Sequence, residues 1–255
     1  MAFENRVKQL LAQGKAAFGA SSGVESEFAA KVTIDTGVDF FWVDTEHSPY
    51  GVESVRMLPV LARMKGCVPM IRVAGLDSSL IKKALDAGAS AIMIPQINNA
   101  GEARAAVSYS RYPPQGTRGV SPIWTFYLDI PWSEYLPEAN NEILVVAQIE
   151  SPEGIRNLES IAEVEGVDVL LAGPADLSAS LGHIGNTEHP DVRKFLEEFP
   201  GRVARTGKTP GIALSSGEAA KLAYQQGYRF INIGSVLWSG VRGLAADLKI
   251  LRDLE

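Results

Sequence analysis

Two aliphatic runs in this chain each lead into a carboxylate: Val145-Val-Ala-Gln148-Ile-Glu150, and Val167-Asp-Val-Leu-Leu-Ala followed by Gly173-Pro174-Ala175-Asp176. Val, Ile and Leu without polar alternation read as strands buried on both faces. Apolar neighbours cannot pair a charge, so a carboxylate at such a strand end requires a partner. Neither acid has a Lys or Arg beside it, so the pair suggests a divalent metal, and oxygen-only ligation favours a hard or borderline ion. Glu150 and Asp176 are the candidate metal ligands; the bland reading is a solvated pair, with Asp176 capping a turn. Gln148 and Glu150 are two apart and share one face of the strand. The Gln148 amide is therefore placed to orient a ligand or a water.

Arg72 follows Val68-Pro-Met-Ile and shares the strand phase of Met70, so it points inward while Ile71 and Val73 face outward. A buried guanidinium needs an anion, and its planar fork suits a carboxylate. That anion is a bound ligand or an internal partner, Asp44 or Glu46. His47 follows these two acids, and its ordinary pKa of about 6.5 suits a general base; a structural histidine is the plain alternative. His183 and His189 lie in Gly182-His-Ile-Gly185-Asn-Thr-Glu-His-Pro and read as surface residues. Two acids for a metal, an inward Arg and a His describe a site for a 2-oxo acid. Lys65, Lys82, Lys83, Lys208 and Lys221 fall in helical or loop segments, which disfavours a Schiff base.

The elements that must position these residues repeat with regularity. Eight strands are expected at 17–22, 39–45, 68–74, 91–96, 143–150, 167–172, 210–215 and 229–234. Helical patterns occupy 24–36, 52–65, 78–87, 100–110, 152–164, 191–206, 217–226 and 236–254. Gly37, Gly66, Gly88, Gly166 and Gly227 stand between a helix and the next strand, where a left-handed cap is needed. Asp77 and Ser215-Ser216 are candidate N-caps. Eight strand–helix repeats give an α/β fold, a (β/α)8 TIM barrel, read as one domain over residues 1–255. A doubly wound open sheet is the alternative, but no Gly-rich dinucleotide fingerprint follows the first strand. An amphipathic N-terminal helix over 1–11 presents Phe3, Val7, Leu10 and Leu11 to one side. The aromatic excursion from Arg111 to Glu142 reads as a lid or a subunit contact, with Tyr50 and Trp124 expected at the entrance.

Composition sets outer limits. The chain has 255 residues, 46% hydrophobic and 21% charged, with a net charge of −6. No basic run offers itself to nucleic acid. No apolar run approaches the roughly 18 residues of a membrane span, and the N-terminus does not resemble a signal peptide. The single cysteine, Cys67, opens an apolar run and reads as a buried structural thiol; with no disulfide to form, a cytoplasmic location is expected.

The segments Asp44-Thr-Glu46-His47-Ser-Pro, Ile71-Arg72, Gln148-Ile-Glu150, Gly173-Pro-Ala-Asp176-Leu-Ser and Arg111-Tyr-Pro-Pro-Gln-Gly-Thr-Arg-Gly119 together resemble the HpcH/HpaI family of class II pyruvate aldolases. The similarity runs over nearly the whole chain. It implies a metal-dependent barrel that cleaves and forms 4-hydroxy-2-oxo acids from pyruvate or hydroxypyruvate and an aldehyde, through an enolate. By resemblance, Glu150 and Asp176 hold Mg²⁺, Mn²⁺ or Co²⁺, Arg72 contacts the substrate carbonyl and His47 is the base. Gly173, Pro174, Ala175 and Asp176 hold the substrate carboxylate, Asp44 and Gln148 join the substrate site, and Leu214 shapes the aldehyde pocket. An acid that pairs with the base in relatives matches Asp86. That residue ends the third helix, at the barrel's opposite face, so it meets His47 only across a subunit boundary or by an unusual local path. The resemblance also implies a homohexamer, a dimer of trimers exchanging C-terminal helices. Using the same enolate, an oxaloacetate decarboxylase akin to macrophomate synthase is the alternative. A non-catalytic 2-oxo-acid-binding barrel is a third reading.

Overall fold

A computed structural model describes residues 3–254. Eight parallel strands close into a barrel in chain order. They are β1 (Ala17–Ser21), β2 (Phe40–Asp44), β3 (Val68–Arg72), β4 (Ala91–Ile94), β5 (Leu144–Ile149), β6 (Val169–Ala172), β7 (Thr209–Ala213) and β8 (Phe230–Ser235). Each lies within or one residue outside its expected segment, and the open-sheet alternative is excluded because β1 pairs with both β2 and β8.

Alternation along the strands divides the apolar residues into two layers. Phe40, Trp42, Met70, Met93, Val146 and Leu171 fill the barrel interior. Phe41, Val43, Ile71, Ile92, Val145 and Leu170 pack outward under the helices. The inward phase read for Arg72 follows from this division, since Met70 is inside and Ile71 outside. Inside the barrel Phe40 stacks on Phe230 at 4.1 Å. A Cβ on Gly19 would come within 2.1 Å of the Phe40 ring, so only glycine fits there. The five predicted cap glycines all take positive φ. Asp77 and Ser216 cap the helices that follow them.

The expected N-terminal helix is shorter, Arg6–Ala12, and its first two predicted residues lie outside the described ones. Val7 plugs the barrel interior with Leu10 and Leu11, whereas Phe3 packs edge-on against Tyr135. The helix expected over 52–65 breaks into Val52–Val55 and Met57–Met64. Pro59 has no N–H to give the Val55 carbonyl, which ends the first piece. A further helix, Pro174–Ser180, fills the stretch between the sixth strand and the helix read over 191–206, and Asp176 lies in its first turn.

Of the two readings of the insertion, a lid or a subunit contact, the lid fails, and so does the entrance placement of Trp124. It connects a helix to β5 and so lies at the strands' N-terminal end, away from the mouth where a lid would sit. There it folds into a 3₁₀ turn (Ile123–Leu128) and a helix (Trp132–Glu142). Trp124 is not at the entrance: it is 1% exposed, covered by Arg63 at 3.7 Å and by Tyr135. Cys67 is buried as read, and burial pushes its thiol up to about 12.

Candidate active site at the C-terminal mouth

The β2–β3 register sets Asp44 directly opposite Arg72. The guanidinium donates from Nε to Asp44 Oδ1 at 2.9 Å and from Nη2 to Oδ2 at 2.6 Å. Its Nη1 lies 3.1 Å from Glu46 Oε2. Both internal partners considered from sequence are therefore engaged, and Trp42 lies 5.0 Å from the same group. Burial would raise the Asp44 carboxyl, but the Arg72 hydrogen bonds and charge outweigh it and hold the group below its ordinary value. Glu46 moves the other way, because burial exceeds the help it receives from Arg72.

Glu150 lies one residue beyond β5 and is nearly covered. Its Oε1 accepts from the Gln96 amide at 3.0 Å, and the Gln148 side-chain amide donates to its Oε2. Both donors are neutral. Burial, then the charges of Asp176 and Glu46, push its carboxyl up to about 7. A Cβ on Gly173 would fall 2.8 Å from both Gln148 Nε2 and Glu150 Oε2, so the backbone of the following helix approaches this pair closely only because residue 173 is glycine. Asp176 sits in the first turn of that helix. Gln148 Oε1 is buried with no hydrogen-bond partner among the described residues. A hard divalent cation fits this donor set. The candidate donors are oxygen atoms, the charges of Glu150 and Asp176 are of one sign, and such a pair is costly without a counter-charge.

His47 is about half exposed. Its Nε2 lies 3.6 Å from Glu46 Oε2 and 3.9 Å from Asp176 Oδ2. Asp86 is not with it. At the end of the helix Ser78–Asp86, it accepts from Arg118 Nη2 at 2.8 Å. Burial raises the Asp86 carboxyl against the pull of Arg118. A helix that follows β3 runs back to the strands' N-terminal end, so Asp86 and His47 lie at opposite ends of one barrel.

A cavity of about 540 Å³ brings His47, Arg72, Gln148, Asp176 and Leu214 together with the backbone of Gly173, Pro174 and Ala175. A second hollow, about 420 Å³, continues past Trp42 and Asp44 to Tyr50, Ser21, Asn232 and Ser235. Sequence reasoning missed Trp42, Ser21 and Asn232. Their inward phase on β2, β1 and β8 was the available signal. It also missed Thr187 and Glu188, which line the first cavity from a loop whose position no local pattern discloses.

Residues 21–239 match the family model described as HpcH/HpaI aldolase/citrate lyase. A 4-hydroxy-2-oxo-heptane-1,7-dioate aldolase of Escherichia coli is 37% identical over 235 residues, 91% of this chain and 88% of that protein. A hydroxypyruvate/pyruvate aldolase of Pseudomonas aeruginosa is 36% identical over 252 residues, 96% and 93% of the two chains. The crystal structure of an HpcH/HpaI aldolase/citrate lyase family protein from Burkholderia cenocepacia superposes with a TM-score of 0.89 at 32% identity, covering 97% of this chain and 99% of that one.

Proposed function

This chain belongs to the HpcH/HpaI aldolase/citrate lyase family and is a carbon–carbon lyase, and we propose from that premise how its mouth works and on what. The reading is a class II aldolase that joins pyruvate or hydroxypyruvate to an aldehyde, and cleaves the resulting 4-hydroxy-2-oxo acid, with a divalent ion on Glu150 and Asp176. The observation that carries it is the pairing of Glu150 and Asp176 beside Arg72 and His47, with Glu150 pushed up to about 7 by burial and like charge. When bound, the ion supplies a Lewis acid at the 2-oxo group, Mg²⁺, Mn²⁺ and Co²⁺ being the candidates.

The chain's own residues supply the rest. Arg72, fixed by Asp44 through two hydrogen bonds and by Glu46 at its Nη1, keeps for the carbonyl oxygen the N–H groups that these contacts do not use. The first turn of the helix Pro174–Ser180 carries amides that an intrahelical partner does not use, and these suit the substrate carboxylate. Gln148 holds Glu150 in place from its side. His47, exposed enough to reach an incoming substrate, takes the methyl proton in addition and the 4-hydroxyl proton in cleavage. Leu214 and the hollow beyond Trp42 receive the aldehyde. Asp86, held by Arg118 at the other end, can serve His47 only from a second copy of the chain.

The same reading includes a homo-oligomer, a hexamer by resemblance. The C-terminal helix Val236–Arg252 buries none of its residues, and Trp238, Val241, Leu244, Leu248 and Leu251 are exposed along it. The test is a screen of aldehydes with pyruvate and hydroxypyruvate, with Mg²⁺, Mn²⁺ or Co²⁺ and with chelator. New 4-hydroxy-2-oxo acids are expected only with metal. Full turnover after exhaustive chelation, or covalent trapping of pyruvate by borohydride, would refute it. Oxaloacetate decarboxylation without any aldol product would replace the aldolase with the decarboxylase.

A further inference from the structure

Outside the mouth, among the described residues, one group of side chains has the composition of a metal site. His183 and His189 come from the loop after the helix Pro174–Ser180, and Asp191 opens the helix Pro190–Ala204. The two imidazoles stack with ring centroids 3.3 Å apart. One ligand atom from each of the three residues lies within 4.8 Å of the other two. Asp191 Oδ2 is 3.2 Å from His183 Nε2 and 3.6 Å from His189 Nδ1. Bonds of about 2.0 Å to a tetrahedral ion set their ligand atoms about 3.3 Å apart, so the two separations to Asp191 are close to those of a coordinated set, while the stacked rings must turn about their side-chain bonds to aim both lone pairs at one ion.

The loop that carries the histidines is pinned by its own backbone. His183 N donates to Ser178 O at 2.7 Å, Asn186 N to His183 O at 2.8 Å, and Gly185 N to the buried Ser178 hydroxyl at 3.2 Å. Both histidines are partly covered, with side chains 26% and 31% exposed. The Asp191 carboxylate stands in the first turn of its helix. His189 Nδ1 accepts only a long 3.3 Å bond from the Asp191 amide, a small loss on binding an ion.

We propose that His183, His189 and Asp191 form a second metal site that takes a borderline transition-metal ion such as Zn²⁺. Imidazole selects zinc, nickel or copper over Mg²⁺, so this site and the all-oxygen pair at the mouth differ in ion preference. A solvent molecule completes the tetrahedron, as three protein ligands leave one position open. The consequence lies next door. Thr187 and Glu188, between the two histidines in sequence, line the substrate cavity with Asp176 and Leu214. An ion that ties His183 to Asp191 therefore fastens the loop that forms one wall of the mouth.

The test uses full-length Glu150→Gln/Asp176→Asn protein, in which the mouth pair is disabled, dialysed with Zn²⁺ in a large excess of Mg²⁺. One Zn²⁺ per chain is expected to remain, and the melting temperature to rise with Zn²⁺. In the same background, His183→Ala and His189→Asn should each weaken Zn²⁺ binding by at least the roughly 10- to 100-fold that loss of an outer-shell partner costs a metal site. Asn at 189 keeps a side chain able to cap the helix. A measurement free of these two substitutions is imidazole NMR, in which Zn²⁺ should move the ring signals of His183 and His189 and leave those of His47. Retention of no Zn²⁺, affinity unchanged in both histidine variants, or a response confined to His47 would overturn the site.

Discussion

The two ends of the barrel are both rich in buried charge, and they use it oppositely. At the N-terminal end cations and anions are matched. Arg63 Nη1 meets Glu142 Oε1 at 2.6 Å with both side chains 3% exposed. Arg118 holds Asp86 at 2.8 Å, and Arg111 lies 3.9 Å from Asp168. Trp124 and Tyr135 close over this network. At the mouth the balance is broken. Asp44, Glu46, Glu150 and Asp176 share Arg72 and a half-exposed His47, and Arg72 gives its fork to Asp44. A matched buried pair holds structure together, because losing either partner strands the other. An unmatched cluster is expensive for the fold alone and is repaid when a ligand brings the missing charge.

The largest effect that separates the ends is expected at His47. His47→Ala should slow aldol cleavage and pyruvate methyl-proton exchange by about 10² to 10⁴, the usual scale for a general base. Oxaloacetate decarboxylation should survive largely intact, because losing CO₂ requires no base. Both rates are measured on one metal-loaded variant, with unchanged melting temperature. Equal losses would move His47 from base to substrate contact.

At the opposite end, Arg63→Ala should cost stability and leave the mouth's chemistry alone. Removing one partner of a buried pair typically costs about 3 to 5 kcal/mol, read by urea unfolding. Arg63→Met/Glu142→Leu should recover most of it, since no charge is then stranded. If the double variant is as unstable as the single, the pair contributes something other than charge matching.

Arg72→Lys tests whether the mouth's single fork is functional or merely matched. A point charge cannot give Asp44 two directed bonds and still face the substrate. Turnover should fall about 10²- to 10³-fold, the scale of losing one oxyanion donor, in a protein that still folds and binds metal. Near-normal kinetics would make Arg72 equivalent to Arg63.

The smallest expected effect concerns metal-free protein. Glu150 has its carboxyl raised from 4.5 to about 7 in the fold. The folded state therefore binds more protons than the unfolded one between these values, and stability falls as pH climbs through that window. Glu150→Gln removes this group's share of the dependence. Under chelation it should exceed the parent's stability above about pH 7 by roughly 1 to 3 kcal/mol and match it near pH 4. A parent whose stability is flat from pH 4.5 to 7 would mean the mouth is not electrostatically strained.

The eight strands, their inward phase and the cap glycines were legible in the sequence, because each depends on neighbours a few residues away. Alternation alone put Arg72, Gln148 and Glu150 inside, and the resemblance of their motifs gave the family. What local pattern could not give was the set of contacts made when distant loops meet over a closed barrel. That Arg72 binds Asp44 by both nitrogens follows from the β2–β3 register. That His47 faces Glu46 and Asp176 follows from where the segments after β2 and β6 meet, whereas the far-end position of Asp86 was already legible from its place at the end of the third helix. The helix at Pro174–Ser180 was hidden because seven residues carry too little of a helical period, while its place is set by Gly173 packed against Glu150 and Gln148. The aromatic insertion looked like a lid in one dimension. Only the topology sends an α-to-β connection to the far end of the barrel, and only tertiary packing turns its Trp and Tyr into a second core.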